Sequence, residues 1–347
     1  MTLSDLSAGG DTLTIMNTRT GLTASLTLAI VLSACGGADD SGTATSALTE
    51  VDSTIATTVT SATSTTSTTT DSAESSDIVN VWQSSSIDAT ALPIGDGNLS
   101  TTEARVGSVY SCAPANPAAP GAHAAGPWLD EAAGTWDSTA KLAVQGDVAW
   151  PAASYRESVA DDVRTVTSNG LPVDQSTGTF PIAADDPAYQ FDRNPGSVTE
   201  HERAYELAVD PELAAEPTCL PMEAVGILRN GVVLYNALDG RGDDAPAHEV
   251  LDICDGHPSQ IAYHYHSIPS CIIEAASGPS TVVGWALDGH PIVVERDASG
   301  NLPSNEDLDE CHGRTSPILL DGEIIENYHY SATLEYPYTI GCFRSRP

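Results

Sequence analysis

Basic side chains are scarce in this sequence: 13 Lys and Arg stand against 48 Asp and Glu, Lys141 is the only lysine, and the formal charge is −35. A surface of that sign repels phosphate backbones and anionic headgroups, which argues against nucleic acid as a partner and suits a saline exterior. Aromatic residues make up 5% of the chain, so a place where they gather is not a by-product of composition. No Cys-x-x-Cys pair occurs, which weakens a thiolate zinc site. No Gly-x-Ser-x-Gly elbow occurs either, which removes the serine-hydrolase reading. No acidic run has the spacing of a calcium loop, and no apolar run is long enough to cross a bilayer as a helix.

The N-terminus reads as an export signal. Met16 is followed by Arg19, then by Leu26, Leu28, Ala29, Ile30, Val31 and Leu32, and the run closes on Ser33-Ala34-Cys35-Gly36. A positive start, a short apolar core and small residues before a cysteine describe a secretory leader. Leu32-Ser33-Ala34-Cys35 resembles a bacterial lipobox, with Cys35 the lipidated residue and the membrane a partner through that lipid. Asp5 and Asp11 are the only charges before Met16, so Met16 is the expected start and 1–35 the leader. Residues 36–78 are mostly Ser, Thr, Ala and Asp without aromatics. They are expected to form a disordered tether, leaving 79–347 as the folded region.

Six cysteines remain once Cys35 is set aside: Cys112, Cys219, Cys254, Cys271, Cys311 and Cys342. An even number in an exported chain points to disulfides, with 15 complete pairings open to six cysteines. The expected set is Cys254–Cys271, Cys311–Cys342 and Cys112–Cys219.

Short apolar runs separated by Gly, Pro, Asn and Asp predict a mainly β fold with short helices, long loops and disulfide support. Val225–Leu228 and Val232–Tyr235 flank Asn230-Gly231, and Thr281–Leu287 and Pro291–Val294 flank Asp288-Gly289, so both read as hairpins. Glu200–Ala208 and Glu306–Cys311 are expected as short helices. An echo also runs through the C-terminal half. Ala237-Leu238-Asp239-Gly240, then Leu251 to His257, then a Tyr-His repeat, then Cys271 match in order Ala286-Leu287-Asp288-Gly289, Leu308 to Gly313, Tyr328-His329-Tyr330 and Cys342. A degenerate internal duplication explains that order, and so does chance reuse of turn chemistry.

Tyr263-His264-Tyr265-His266 is the densest chemistry in the chain. On a strand, successive side chains alternate between faces, so His264 and His266 share one face and can grip one ion, while Tyr263 and Tyr265 face away as support. Seven of the nine histidines fall between His248 and His329. His257 and His329 are the further candidate ligands, ahead of His290, His312 and His248. Asp252 and Asp288 are the candidate acceptors that fix the rings. Imidazole donors suit copper or zinc. A cupin would place a glutamate a few residues beyond the His-x-His pair, whereas the next acid here is Glu274.

Cys254-Asp255-Gly256-His257, the Tyr263 to His266 repeat, Gly284-Trp285-Ala286-Leu287-Asp288-Gly289, Asp309-Glu310-Cys311-His312-Gly313, Tyr328-His329-Tyr330 and Tyr336-Pro337-Tyr338 through Phe343 recur in an order that resembles the YHYH domain family, over about 165–343. The resemblance implies an exported, often lipid-anchored bacterial protein of uncharacterised activity. Where a second histidine would close the second repeat, Ser331 stands. The expected function is a surface lipoprotein that binds copper or zinc through its His-x-His pair. The alternatives are a metal-dependent hydrolase or oxidoreductase using the same site, and a non-catalytic structural or ligand-binding module.

Overall fold

The computed structural model describes residues 77–347, apart from 84, 85, 120, 122, 260 and 261. The expected leader, Cys35 and all but the end of the expected tether lie outside the described residues. Ile78, at that end, is buried.

The first five strands are two residues each: β1 (Leu92–Pro93), β2 (Leu99–Ser100), β3 (Val109–Tyr110), β4 (Leu129–Asp130) and β5 (Thr135–Trp136). β5 lies between β1 and β4, and β2 pairs with β3. Three longer strands, β6 (Tyr155–Ala160), β7 (Val163–Ser168) and β8 (Arg203–Ala208), form an antiparallel sheet in that order. β8 replaces the short helix expected over Glu200–Ala208. Along it Ala204, Glu206 and Ala208 are exposed while Arg203, Tyr205 and Leu207 turn inward. That alternation has period two, and full pairing with β7 satisfies its backbone. Near the other expected helix, only Asn305–Asp307 forms a 3-10 turn.

The main sheet has eight strands: β9 (Ala224–Leu228), β10 (Val233–Tyr235), β11 (Gly256–Pro258), β12 (Tyr263–Tyr265), β13 (Ser280–Ala286), β14 (Pro291–Glu295), β15 (Gly313–Leu320) and β16 (Glu323–Ser331). Two short helices, α1 (Ala245–His248) and α2 (Ser270–Ala275), sit in its connections. The order is β11-β12-β10-β9-β13-β14-β16-β15. Both predicted hairpins form, β9 with β10 and β13 with β14. Gly231 (φ 90°) and Gly289 (φ 92°) take the left-handed turn positions after Asn230 and Asp288, where a Cβ would be strained.

Both faces of this sheet are covered. Ile227, Val282, Trp285 and Val293 pack with Val166 and Leu207 of the three-stranded sheet. Their chain neighbours Leu228, Val283, Ala286, Ile292 and Val294 enter the larger core on the other side. Burial on both sides explains why the central strands β9, β13 and β14 are continuous apolar runs rather than alternating ones. Arg164 is buried beneath the smaller layer, its guanidinium 3.6 Å from the Trp285 ring centre and paired with Glu157.

The three disulfides are Cys112–Cys219, Cys254–Cys271 and Cys311–Cys342, with Cα separations of 5.0, 5.4 and 4.5 Å. Loops of 107, 17 and 31 residues stabilise by about 3–5 kcal/mol each in the chain-entropy account. Among the described residues, no helix is long and apolar enough to cross a membrane.

Candidate metal centre

The β11–β12 hairpin creates the site. His257 pairs directly opposite His264, and β12 lies parallel to β10, so His266 emerges just past the strand end beside Asn236. His257 Nε2 is 3.1 Å from His264 Nε2, which is 3.1 Å from His266 Nε2. All three residues are buried. Their ligand atoms form a group that could hold a metal ion.

Tautomers follow from the partners. A carbonyl oxygen only accepts, so His264 donates Nδ1–H to Ala262 O at 3.2 Å and His266 donates Nδ1–H to Asn236 O at 2.6 Å. In the neutral rings both Nε2 atoms then carry lone pairs, and those lone pairs face each other. Bonds of about 2.0–2.1 Å to a tetrahedral ion hold two nitrogens about 3.3–3.4 Å apart. The observed spacing is near that, and it is unfavourable unless a cation or a proton sits between them.

Glu249, the residue after α1, supplies the fourth group. Its Oε2 is 3.0 Å from His257 Nε2 and 3.1 Å from His266 Nε2, with neither N–H direction on a hydrogen-bond line. Burial works against the charge on Glu249, but His257 and His266 outweigh it and hold the carboxyl well below the ordinary carboxylate value. Burial, reinforced by the two neighbouring imidazoles, keeps His264 well below its ordinary value and hence neutral. Burial pulls His266 the same way, yet Glu249 outweighs it and raises that ring. The cluster therefore sets a neutral imidazole at His264 beside a His266 ring whose charged form Glu249 favours.

The group opens on a cleft of about 840 Å3 lined also by Asp192, Arg193, Arg241, His123 and Asp239. Tyr235 stacks on His264 with ring centres 4.1 Å apart. Asp192 Oδ2 is buried without a hydrogen bond, and burial raises its carboxyl. His123, Asp239 and Asp243 form a second group that could hold a cation, and the first two line the same cleft. There His123 Nδ1 is 3.0 Å from Asp239 Oδ2 and 3.8 Å from Asp243 Oδ2, and its ring stacks on His248 at 3.9 Å.

Of the residues singled out from sequence, the structure brings His257, His264 and His266 together. His329 stands elsewhere, on β16. Five strand spacings separate β12 from β16, roughly 24 Å, and His329 Nε2 faces Glu295 at 3.0 Å. The ring-fixing acceptors expected in Asp252 and Asp288 are engaged differently. Asp252 accepts Tyr263 Oη at 2.8 Å and the amides of Gly178, Cys254 and Gly256. Asp288 accepts Tyr330 Oη at 2.7 Å and the amides of Arg344 and Ser345. Backbone carbonyls orient His264 and His266 instead. Tyr263 and Tyr265 point into the large core, and Asn230 donates to Tyr265 Oη at 2.9 Å.

His290 meets Ser345 Oγ at 2.8 Å, His312 meets Thr333 Oγ1 at 3.0 Å, and His248 donates to Ala124 O at 3.0 Å. Each has an ordinary polar partner. Sequence reasoning missed Glu249. A cupin-like spacing points downstream of the His-x-His pair, to Glu274, while the carboxylate comes from upstream. Its signal was an acid beside the apolar Val250-Leu251, where burial demands a partner.

Residues 204–302 match the family described as YHYH protein. No curated protein matches the chain, and no solved structure does. The matched segment is narrower than the expected 165–343. It holds the β9–β10 and β11–β12 hairpins with all three clustered histidines and ends before Asp309 and Tyr328. The chain thus carries a YHYH domain, and that domain together with three disulfides points to an extracytoplasmic protein.

Proposed function

We propose that the YHYH domain of this chain binds one transition-metal ion, copper or zinc, through His257, His264 and His266, on an exported protein anchored by a lipid at Cys35. One observation carries the metal reading. Three buried Nε2 atoms converge, and two of the rings are locked by backbone carbonyls into the tautomer that leaves those atoms as acceptors. Ligating histidines need that tautomer and that kind of orienting partner. A closed hydrogen-bond network would instead alternate donors and acceptors. Glu249 neutralises part of the ion's charge and competes for the proton that the ion must displace.

A second reading is favoured by the cleft. An ion at the floor of a space of about 840 Å3, beside Arg193, Arg241 and Asp192, whose carboxyl burial raises, has room for a substrate oxygen. A metal-dependent hydrolase or oxidoreductase would use such an open position. The arginines would bind an anionic group and Asp192 would hold or pass a proton.

The deciding experiment is metal analysis of the purified chain beside His264→Ala/His266→Ala. One equivalent of zinc or copper in the first and none in the second is expected. Equal loading of both proteins removes the reading. Incorporation of labelled fatty acid, lost in Cys35→Ala, tests the anchor.

A further inference from the structure

The order of the eight-stranded sheet is the same read from either end once β9–β12 are exchanged for β13–β16. The bonding follows the same exchange. β10 runs parallel to β12 as β14 does to β16. Asp252 bonds the amides of Cys254 and Gly256 and accepts Tyr263 Oη, and Asp309 bonds those of Cys311 and Gly313 and accepts Tyr328 Oη. Asn230 meets Tyr265 Oη as Asp288 meets Tyr330 Oη. The turn equivalent to Asp288-Gly289 is therefore Asn230-Gly231, which corrects the Asp239-Gly240 alignment read from sequence.

Superposed by register, the metal centre has a counterpart. His329 takes the place of His264 and likewise donates Nδ1–H to a carbonyl two residues back, Asn327 O at 3.0 Å. Arg314 stands opposite His329 where His257 stands opposite His264. Leu234 aligns with Tyr265 and Ile292 with Tyr330, so Ser331 falls where His266 does. The carboxylate here is Glu295. Its Oε2 is 3.0 Å from His329 Nε2 and accepts Ser331 Oγ at 2.7 Å, and its Oε1 is 3.6 Å from Arg314 Nε.

We propose that this second half carries a sister of the metal centre in which the Arg314 guanidinium is the resident cation, so that Arg314 and Ser331 close to metal a site otherwise built for it. A fully buried carboxylate needs positive charge nearby. Glu295 is 0% exposed, and the Arg314 guanidinium, with Nε 3.6 Å from its Oε1, supplies that charge. The surroundings keep the guanidinium in place. Trp82 lies against it with its ring centre 4.8 Å away, and Asn80 Oδ1 accepts Arg314 Nη2 at 3.3 Å. Asn80 also donates to Pro279 O and Trp82 to Asn301 O, so this segment straps the second site. The first site opens on a cleft instead. The inference rests on the metal reading of the first site for its chemistry, though its test does not depend on that site working.

Four full-length proteins decide it: the natural chain, His264→Ala/His266→Ala, Arg314→His/Ser331→His, and all four substitutions together. Each is dialysed against zinc and its bound zinc counted, with near-ultraviolet circular dichroism to confirm the fold. One, zero, two and one equivalents are expected. Zinc retained by folded His264→Ala/His266→Ala and lost with His329→Ala would show that the natural second half takes an ion, overturning the proposal. A folded Arg314→His/Ser331→His protein that gains none overturns it too. A natural chain with no zinc, beside a four-substitution protein with one, would sink the reading of the first site and support this one. Should the histidine variants fail to fold, Arg314→Met and Arg314→Met/Glu295→Gln replace them. The single change is expected to lower the melting temperature, and the double to recover at least half of the loss. Absence of recovery refutes the resident-cation role.

Discussion

His264→Ala separates an ion-binding centre from a cluster of ordinary buried histidines, because the two make different statements about stability. An ion that binds only the native chain stabilises it by RT ln(1 + [ion]/Kd), about 4 kcal/mol at a thousandfold excess over Kd. For a domain of this size, each kcal/mol moves the melting temperature by about 2–4 °C, so saturation should raise it by about 8–16 °C. His264 is the nitrogen in contact with both other imidazoles, and its loss should abolish that rise.

Without the ion the same substitution is expected to cost much less. It forfeits the stacking of His264 on Tyr235, and it also relieves two lone pairs held 3.1 Å apart. Scanning calorimetry of both proteins, each with chelator and with excess zinc or copper, reads all four states. A natural chain whose transition ignores metal, or a variant that shifts as far as the natural chain, would refute the reasoning.

Three further outcomes follow from single contacts. Glu249 raises His266 above the ordinary imidazole value of 6.5 against the opposing effect of burial, so the ion must displace a proton below that raised value. Apparent affinity, read by competition titration, should fall about tenfold per pH unit on acidification there, and a flat profile would contradict it. Burial pushes Asp244 up to about 6 from an ordinary 3.8, so the native chain binds that proton more tightly than the unfolded one, and acidification from pH 7 to 4 favours the fold through this group. The unfolding free energy of the natural chain should gain about 2 kcal/mol relative to Asp244→Asn over that interval, measured by urea titration. A Cβ on Gly256 would stand 2.3 Å from Tyr263 Cζ, and one on Gly313 2.3 Å from Tyr328 Oη. Gly256→Ala and Gly313→Ala should therefore each lower stability by about 1–3 kcal/mol, and a neutral result at either would mean that the ring moves freely.

The strands that carry the chemistry were legible because their signals are local. Asn230-Gly231 and Asp288-Gly289 fix two hairpins through backbone conformations that few residues tolerate, and Tyr-His alternation fixes which side chains share a face. β8 was misread because acidic and basic side chains around Glu200 to Glu206 suit an exposed helix as well as an exposed strand. Only pairing with β7 decides between them, and pairing is not local. The disulfides fell between these cases. Cys254–Cys271 and Cys311–Cys342 join near neighbours, whereas Cys112–Cys219 spans 107 residues.

The centre divides along the same line. His257 and His264 meet because one hairpin sets them in register, and seven residues of sequence contain that fact. Glu249 and the two carbonyl partners arrive through a helix end, a strand end and a parallel crossover, none of which marks the sequence. His329 shows the converse. It shares its Tyr-His-Tyr context with His264, yet it belongs to the opposite end of the sheet, so a motif repeated along the chain does not mark one shared site. On the metal reading, whether a Tyr-His-Tyr strand supplies a ligand is decided by the residue across the hairpin and the one after the strand: His257 and His266 in one half, Arg314 and Ser331 in the other.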